Sequence, residues 1–391
     1  MESNIATAQR EYYRRPADER FATLQDLITS AQYDKDHSVE RTYNLKDLRA
    51  VAADAAQVPD QITVHYAQPT IQLESPKGRA SFTHYSFGQL ARTIGAPASY
   101  LRTLPPAIAA DAINYGLQDA VPVGTTANLL IKANGGTPIV RAATSDTYGR
   151  VWDANLYGEL NRYFGDGSSS RGGSWITPPT WDGTAAGNYR GDRDSFVIRV
   201  DGGSIVADPT LTDRRTNEGG SNAGAMFRGL LVRNSEVGHC SITVECILFR
   251  YICGNHMLWG AIMDRQFKRR HVGQKITRDT MSELSTLAYK FNQRTASQDE
   301  QIIKGLIAHE IAHTQEAVID ELRKMGATKE QATDAYATCE TKEAASPRSF
   351  WGLAQGLTRN SQESGYQDDR LALDQLAAAV LKKGAAQLVT V

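Results

Sequence analysis

Residues 227–260 read FRGLLVRNSEVGHCSITVECILFRYICGNHMLWG, and this stretch decides the fold. Two runs within it, 231–234 and 242–246, alternate with period two, which is the pattern of half-buried strands. Residues 234–238, Asn-Ser-Glu-Val-Gly, supply turn-forming side chains between the two runs. From 246 to 253 nearly every residue is apolar, which predicts a strand covered on both faces or a passage into a helix. We therefore expect an antiparallel hairpin in the middle of the largest sheet.

The flanking sequence predicts an α+β fold: a mostly antiparallel sheet built from hairpins, with small N-terminal helices and a helical C-terminal layer. The apolar spacing over 45–57 predicts one helix. Residues 87–104 predict two short helices, either a DNA-reading helix-turn-helix or a helical hairpin packed on the sheet. We favour the packed hairpin because the second helix offers only Arg102 to a groove. Three later helix starts have a Ser or Thr followed three residues on by Glu or Gln, the capping-box pattern: Thr280, Ser297 and Thr328.

We expect four segments along the chain. They are a flexible N-terminal arm at 1–40, a small α+β subdomain at 41–120, a central β-rich domain at 121–280 and a helical C-terminal layer at 281–391. The central domain holds two Gly-rich loops, at 165–192 and 213–226. The first of these carries Trp and Arg side chains that suit base stacking, and the alternative is a surface insertion packed on the sheet edge.

Composition narrows the class of protein. The chain has 391 residues and a formal charge of −1, so overall basicity does not force a nucleic-acid partner. No apolar run approaches the roughly 18 residues of a membrane span, and the N-terminus lacks a signal-peptide apolar region. We expect a cytoplasmic protein, in the host cytoplasm if it is phage-encoded. Its four cysteines contain no C-x-x-C pair and predict reduced, structural thiols.

Several stretches resemble a known family. They are GLLVRNSEVG at 229–238, ILFRYICGNHM at 247–257, RRHVG at 269–273, FGQLARTIGAPASYLRTLP at 87–105 and SFWGLAQGLTRN at 349–360. Together they resemble the phage/plasmid-like protein family, a prokaryotic domain of unknown function found in phages, prophages and plasmids. The resemblance extends from about residue 40 onward. It implies a mobile-element context and an order of elements, and it implies no mechanism.

One motif points to metal chemistry. His309, Glu310 and His313 form H-E-x-x-H, which on a helix sets two imidazoles on one face for zinc, with the Glu as general base. A zinc metallopeptidase is therefore an alternative function. The apolar stripe of the predicted helix argues against it, because the histidines point away from that stripe toward solvent. No H-x-x-G-x-x-H follows to supply a third ligand.

The strongest charge asymmetry is local. Residues 227–278 contain nine Lys or Arg and three Asp or Glu, so this stretch is strongly basic while the rest of the chain is acidic. Closely spaced cations neutralise successive phosphates, and Arg or aromatic rings stack on bases. The alternative is a solvated basic segment paired with the acidic C-terminal layer. The predicted nucleic-acid-binding residues are Arg233, Arg250, Arg265, Lys268, Arg269, Arg270, His271 and Lys275.

From this pattern and the family context we expect a non-enzymatic nucleic-acid-binding protein of a mobile element. Its partner would be single-stranded DNA, bound or annealed in recombination or replication, and a homo-oligomer would suit that role. We expect no cofactor and no membrane partner. A virion component or an anti-defence interaction protein without catalysis is a further alternative, and the sequence does not rank it.

Overall fold

The computed structural model describes residues 19–54, 70–133, 135–165, 175–177, 188–207, 225–250, 256–258, 266–293, 296–364 and 367–388. It confirms the α+β class: two mostly antiparallel sheets and a set of C-terminal helices. Arg265, residues 1–18 and most of both Gly-rich loops lie outside the described residues. Among the described helices, none combines the length and the apolarity that crossing a membrane would need.

The first sheet has six strands in the order β1-β5-β6-β4-β3-β2. Its strands are β1 (Ser38–Asn44), β2 (Arg49–Ala52), β3 (Ile71–Ser75), β4 (Gly78–Phe82), β5 (Thr126–Lys132) and β6 (Ile139–Thr144). Only the pairing of β4 with β6 is parallel, and the β3–β4 hairpin turns through Gly78 at φ 120. This sheet runs across the predicted boundary at residue 120, since β5 and β6 both follow it.

Four α-helices lie among the described residues before residue 116. They are α1 (Leu24–Asp36), α2 (His84–Thr93), α3 (Ala98–Leu101) and α4 (Pro106–Tyr115). The last three pack on the first sheet, whereas Leu24 and Leu27 of α1 are buried in the core of the second sheet. The predicted arm at 1–40 is therefore partly regular, since it contains α1 and the start of β1. The predicted helix over 45–57 is wrong: Leu45–Asp47 form one 3-10 turn and β2 follows. Leu45, Leu48 and Ala50 are all buried, so a short turn followed by a strand satisfies the same apolar spacing.

The second sheet is built on the predicted hairpin. It contains β7 (Trp175–Ile176), β8 (Asn188–Arg190), β9 (Ser195–Ala207), β10 (Ala225–Asn234), β11 (Ile242–Arg250), β12 (His256–Leu258) and β13 (Gln266–Arg269). β10 lies between β9 and β11, and β12 and β13 both pair with β11. Val232, Val244 and Cys246 are buried against α5 (Asp153–Phe164) and α6 (Ile276–Asn292). The opposite face carries a smaller apolar group centred on Phe227 and Leu231.

Five more helices form the C-terminal layer: α7 (Ala296–Ala308), α8 (Gln315–Lys324), α9 (Lys329–Lys342), α10 (Phe350–Glu363) and α11 (Gln367–Leu388). They share a core around the fully buried Trp351 and contact the second sheet through Met226 and Leu248. Of the three predicted capping boxes, only Thr328–Gln331 is one. Thr280 lies buried within α6, and Ser297 follows the first residue of α7.

The β10–β11 turn joins the two sheets. Sequence analysis predicts a turn here, and turns ordinarily lie at the surface. In the structure, residues 234–237 are all buried, and Gly238 reverses the chain at φ 84. Gln89 of α2 donates to the Val237 carbonyl at 2.7 Å and accepts from the Ala143 amide at 3.0 Å. The tip of the central hairpin is therefore inserted against the first sheet.

Candidate functional site

A solvent-open groove of about 600 Å³ lies where β13 meets the start of α6. Its lining residues are Lys268, Arg269, Arg270, Val272, Gly273, Gln274, Lys275, Ile276 and Asp279. Four of these are cationic and one is acidic, so the lining carries a net positive charge. Four of the eight predicted binding residues, Lys268, Arg269, Arg270 and Lys275, thus lie around one depression, which we call the basic groove.

Main-chain contacts with the first half of the chain hold the loop of the basic groove in place. The Gly149 amide donates to the His271 carbonyl at 3.1 Å, and the Gly273 amide donates to the Thr147 carbonyl at 2.9 Å. Tyr148 and Val272 form an isolated β-bridge between these two contacts. The approach is close enough that a Cβ on Gly149 would lie 2.2 Å from the Gly273 carbonyl oxygen. The groove is consequently a fixed feature of the junction between the two sheets.

Three cations of the groove are exposed: Lys268, Arg270 and Lys275. Within the described part of the chain, none of them has a carboxylate within ion-pair distance. Lys275 also occupies the N-cap position of α6, with no side-chain cap hydrogen bond. A cation at the positive end of a helix dipole is unfavourable, whereas an anion there is stabilised by both the dipole and the cation. The arrangement is therefore suited to a bound anion.

Arg269 is ion-paired within the protein. Alternation along β13 places Phe267 and Arg269 on the face of the sheet toward α6, and the Arg269 Nε donates to Glu283 Oε2 at 2.7 Å. Because Glu283 belongs to α6, the pair ties the strand to the helix. Arg269 lines the groove without offering it an unpaired charge.

The predicted extension of the groove does not include Arg233. Arg233 donates to Asp194 Oδ2 from both Nε at 3.0 Å and Nη2 at 2.7 Å, so it is held at the end of β10. Arg250 ends β11 opposite Met226, and its side chain lies outside the described residues. The expectation that Arg233 binds nucleic acid is therefore corrected, because its charge is neutralised by a buried carboxylate.

His271 is also corrected from a binding residue to a structural one. It is buried, and its ring stacks on Tyr148 with centroids 5.1 Å apart. Its Nδ1 lies 3.1 Å from the Gly149 carbonyl oxygen, so Nδ1–H is the donor and Nε2 is the unprotonated nitrogen. Burial, together with the charge of Arg150, lowers the pKa of His271 to about 4. The imidazole is neutral at physiological pH and fixes the loop of the basic groove.

Sequence analysis missed a buried charge network at the same junction. Arg190 contacts three carboxylates: Asp34 at 2.7 Å, Asp153 at 3.0 Å and Glu236 at 3.0 Å. Glu236 also accepts from Arg141 at 2.9 Å and from the Asp153 amide at 3.0 Å. These groups come from both sheets, from α1, from α5 and from the β10–β11 turn. The ion pairs of this network therefore hold the two sheets together.

The pKa values of the carboxyl groups in the network follow from their burial and from the guanidinium groups that they share. Burial and the nearby charge of Glu236 raise the pKa of Asp153 to about 6. Burial also acts to raise the pKa of Glu236, but Arg190 and Arg141 outweigh it and hold this pKa below its usual value. Ser195 Oγ and Asn234 Nδ2 donate to Asp153 at 2.6 and 2.7 Å. All of these side chains are buried, so we assign the network to structure and not to catalysis.

The H-E-x-x-H motif does not have the helical geometry that zinc peptidases need. The predicted single helix through this region is wrong, because α7 ends at Ala308 and α8 begins at Gln315. His309 Nδ1 lies 3.0 Å from the Gly305 carbonyl, and Glu310 pairs with both His313 and Arg348 at 3.0 Å. Across the described residues there is no group of three or more His, Cys, Asp or Glu able to hold a metal ion.

Comparison of the chain with protein-family models, with curated proteins and with solved structures gave no match. The resemblance to the phage/plasmid-like family therefore stays a prediction.

Proposed function

We propose that the protein binds nucleic acid through the basic groove, with phosphates contacting Lys268, Arg270 and Lys275. The observation that carries the proposal is the set of three exposed cations, without described carboxylate partners, around the uncapped start of α6. Lysine and arginine that neutralise phosphates release condensed counterions, which is the main source of affinity for nucleic acid.

The groove offers backbone contacts more than base-edge contacts. Its lining contains a single amide side chain, Gln274, and its exposed apolar residue is Val272 at 62% exposure. Phosphate contacts position a strand without reading its sequence. We therefore propose sequence-independent binding, and single-stranded DNA of a mobile element is the substrate that the basic segment and the family resemblance together favour. A homo-oligomeric form belongs to the same proposal.

Replacing Lys268, Arg270 and Lys275 together by alanine should weaken binding of a fluorescein-labelled 30-nucleotide oligo(dT) at least tenfold at 50 mM salt. Each lost phosphate contact removes about 0.7 from the slope of log K against log salt for a single strand. The slope should thus become shallower by about 2. Fluorescence anisotropy over a salt series measures both quantities.

The matched control removes three exposed lysines away from the groove: Lys77, Lys304 and Lys329. It has the same net charge as the groove variant and should bind oligo(dT) within about twofold of the wild type. Equal losses in the two variants would mean that net charge alone drives binding. Failure of the wild type to bind at low salt would remove the proposed function altogether.

A further inference from the structure

A second cationic surface lies beside the β10–β11 turn. Four parts of the fold contribute to it: the two ends of α2, the residue after α3, the loop before β9 and the turn itself. Its members are His84, Tyr85, Arg92, Arg102, Arg193 and His239, which we call the Tyr85 patch. Arg92, Arg193 and His239 are exposed, and the other three are partly buried.

The guanidinium groups of Arg102 and Arg193 are close enough to repel each other. Arg102 Nη2 donates to the His84 carbonyl at 2.8 Å. Burial and then the charge of Arg193 lower the pKa of Arg102. In the described part of the chain, no carboxylate lies within 4.0 Å of Arg92, Arg102 or Arg193. Asp194, the residue after Arg193, is held by Arg233 and by the Tyr189 hydroxyl at 2.9 Å. A bound polyanion would relieve this repulsion.

Two aromatic rings stand among these cations. The Arg193 guanidinium lies over the Tyr85 ring at 5.9 Å, and the His239 ring meets Tyr85 edge-on with centroids 5.5 Å apart. Aromatic and guanidinium planes of this kind stack on unpaired bases, whereas bases inside a duplex present only their edges. The combination therefore favours a single strand over a duplex.

The β10–β11 turn and the Tyr148 ring lie between the Tyr85 patch and the basic groove. Tyr148 donates its hydroxyl to the Ser235 carbonyl at 2.8 Å, and a Cβ on Gly238 would lie 3.3 Å from the Tyr148 ring. The Tyr148 ring also stacks on His271, which precedes Val272 of the groove. A strand leaving the groove would thus cross the β10–β11 turn and reach Tyr85.

We propose that the Tyr85 patch is the second half of a single-strand binding track, in which an unpaired base stacks on Tyr85 and Arg193 while its flanking phosphates contact Arg92 and Arg102. The proposal rests on the proposed function for the chemistry of its ligand. It adds the class of nucleic acid, a single strand, and a second contact site beside the turn.

The test compares a patch variant, Tyr85→Leu with Arg193→Gln, against the groove triple variant described above. Both are titrated with the 30-nucleotide oligo(dT) and with a 30-base-pair duplex at 50 mM salt. The patch variant should lose at least fivefold in affinity for oligo(dT), since one base–aromatic stack is worth about 1–3 kcal/mol. Its affinity for the duplex should change less than twofold, whereas the groove variant should weaken on both ligands.

The matched control is Tyr115→Leu with Arg49→Gln, which removes one exposed tyrosine and one exposed arginine from α4 and β2. It should bind like the wild type. Charge reversal at the exposed Arg193, Arg193→Glu, gives a second patch variant that leaves Tyr85 in place and should weaken oligo(dT) binding further. Thermal melting checks that every variant is folded.

The outcomes separate the two proposals. If the groove variant weakens binding and neither patch variant does, the track ends at the groove and the Tyr85 proposal is overturned alone. If the patch variants weaken single-strand binding and the groove variant does not, the patch stands and the groove assignment fails. Equal losses on duplex and single strand in the patch variants would overturn base stacking at Tyr85.

Discussion

Replacing Glu236 by glutamine should lower the free energy of unfolding by about 3–5 kcal/mol, the usual cost of removing one partner from a buried ion pair. Glu236 is buried at the tip of the β10–β11 turn and accepts from Arg141 and Arg190. Glutamine keeps the shape but presents an amide N–H₂ or a neutral oxygen to two guanidinium groups. Arg190 retains Asp34 and Asp153, whereas Glu236 is the one described carboxylate within 4.0 Å of Arg141.

Urea denaturation followed by intrinsic Trp fluorescence measures this loss. The matched control is Glu283→Gln, which breaks the ion pair with Arg269, where both side chains are about one-third exposed. Exposed pairs contribute between 0 and about 1 kcal/mol, so the control should be nearly neutral. Similar small losses in both variants would show that the network does not hold the sheets together. The m-value tells whether the two sheets still unfold as one unit.

The second large effect is acid sensitivity at His271. Its pKa in the folded protein is about 4 and its ordinary value is 6.5, so the folded state disfavours the imidazolium. Between these two pH values the unfolded chain takes up a proton that the folded protein does not. Stability from this group is therefore fully present above pH 6.5 and is lost as pH falls toward 4. At pH 5 the loss amounts to about 2 kcal/mol.

Comparison of the wild type with His271→Gln isolates this contribution. Glutamine does not titrate, and its amide N–H can still donate to the Gly149 carbonyl. The difference in unfolding free energy between the two proteins should shift by about 2 kcal/mol in favour of the variant between pH 7.5 and pH 5. Urea titrations at both pH values give that difference directly. A pH-independent difference would mean that His271 titrates normally and that its burial does not matter.

Asp153 acts with the opposite sign, which is why a difference measurement is needed. Burial and Glu236 raise its pKa to about 6, so the folded protein takes up this proton before the unfolded chain does. The contribution of Asp153 to the free energy of unfolding rises as pH falls from 6 toward 3.8, and it partly offsets the loss at His271. The wild-type profile alone would therefore look flatter than either group predicts.

The hairpin around 227–250 could be predicted because strand alternation and turn composition are local signals. Burial of its turn could not, since Glu236 is stabilised by Arg141 and Arg190, which lie far away along the chain. Nothing in the spacing of Asn-Ser-Glu-Val-Gly distinguishes a solvated turn from one inserted between two sheets. A charged residue in a turn is ordinarily read as solvated, and here tertiary pairing overrides that expectation.

The basic groove was partly predictable for a similar reason. Proximity of Lys268, Arg270 and Lys275 in sequence guarantees proximity in space, so the basic segment located the groove. The sequence did not show that Glu283 pairs with Arg269, which lines the groove, or that Asp194 pairs with Arg233. The H-E-x-x-H motif, by contrast, predicts a site that the fold does not support. Its chemistry needs both histidines on one face of a helix, and α7 ends at Ala308, before the first of them.

Insertion of the β10–β11 turn also constrains biosynthesis. Arg141 emerges from the ribosome 95 residues before Glu236, its described carboxylate partner. At the usual elongation rate this interval lasts roughly 5–20 seconds. Through that time the nascent first sheet would have to bury an uncompensated guanidinium, which is costly. The packing around Arg141 is therefore completed only after the central hairpin has emerged from the ribosome.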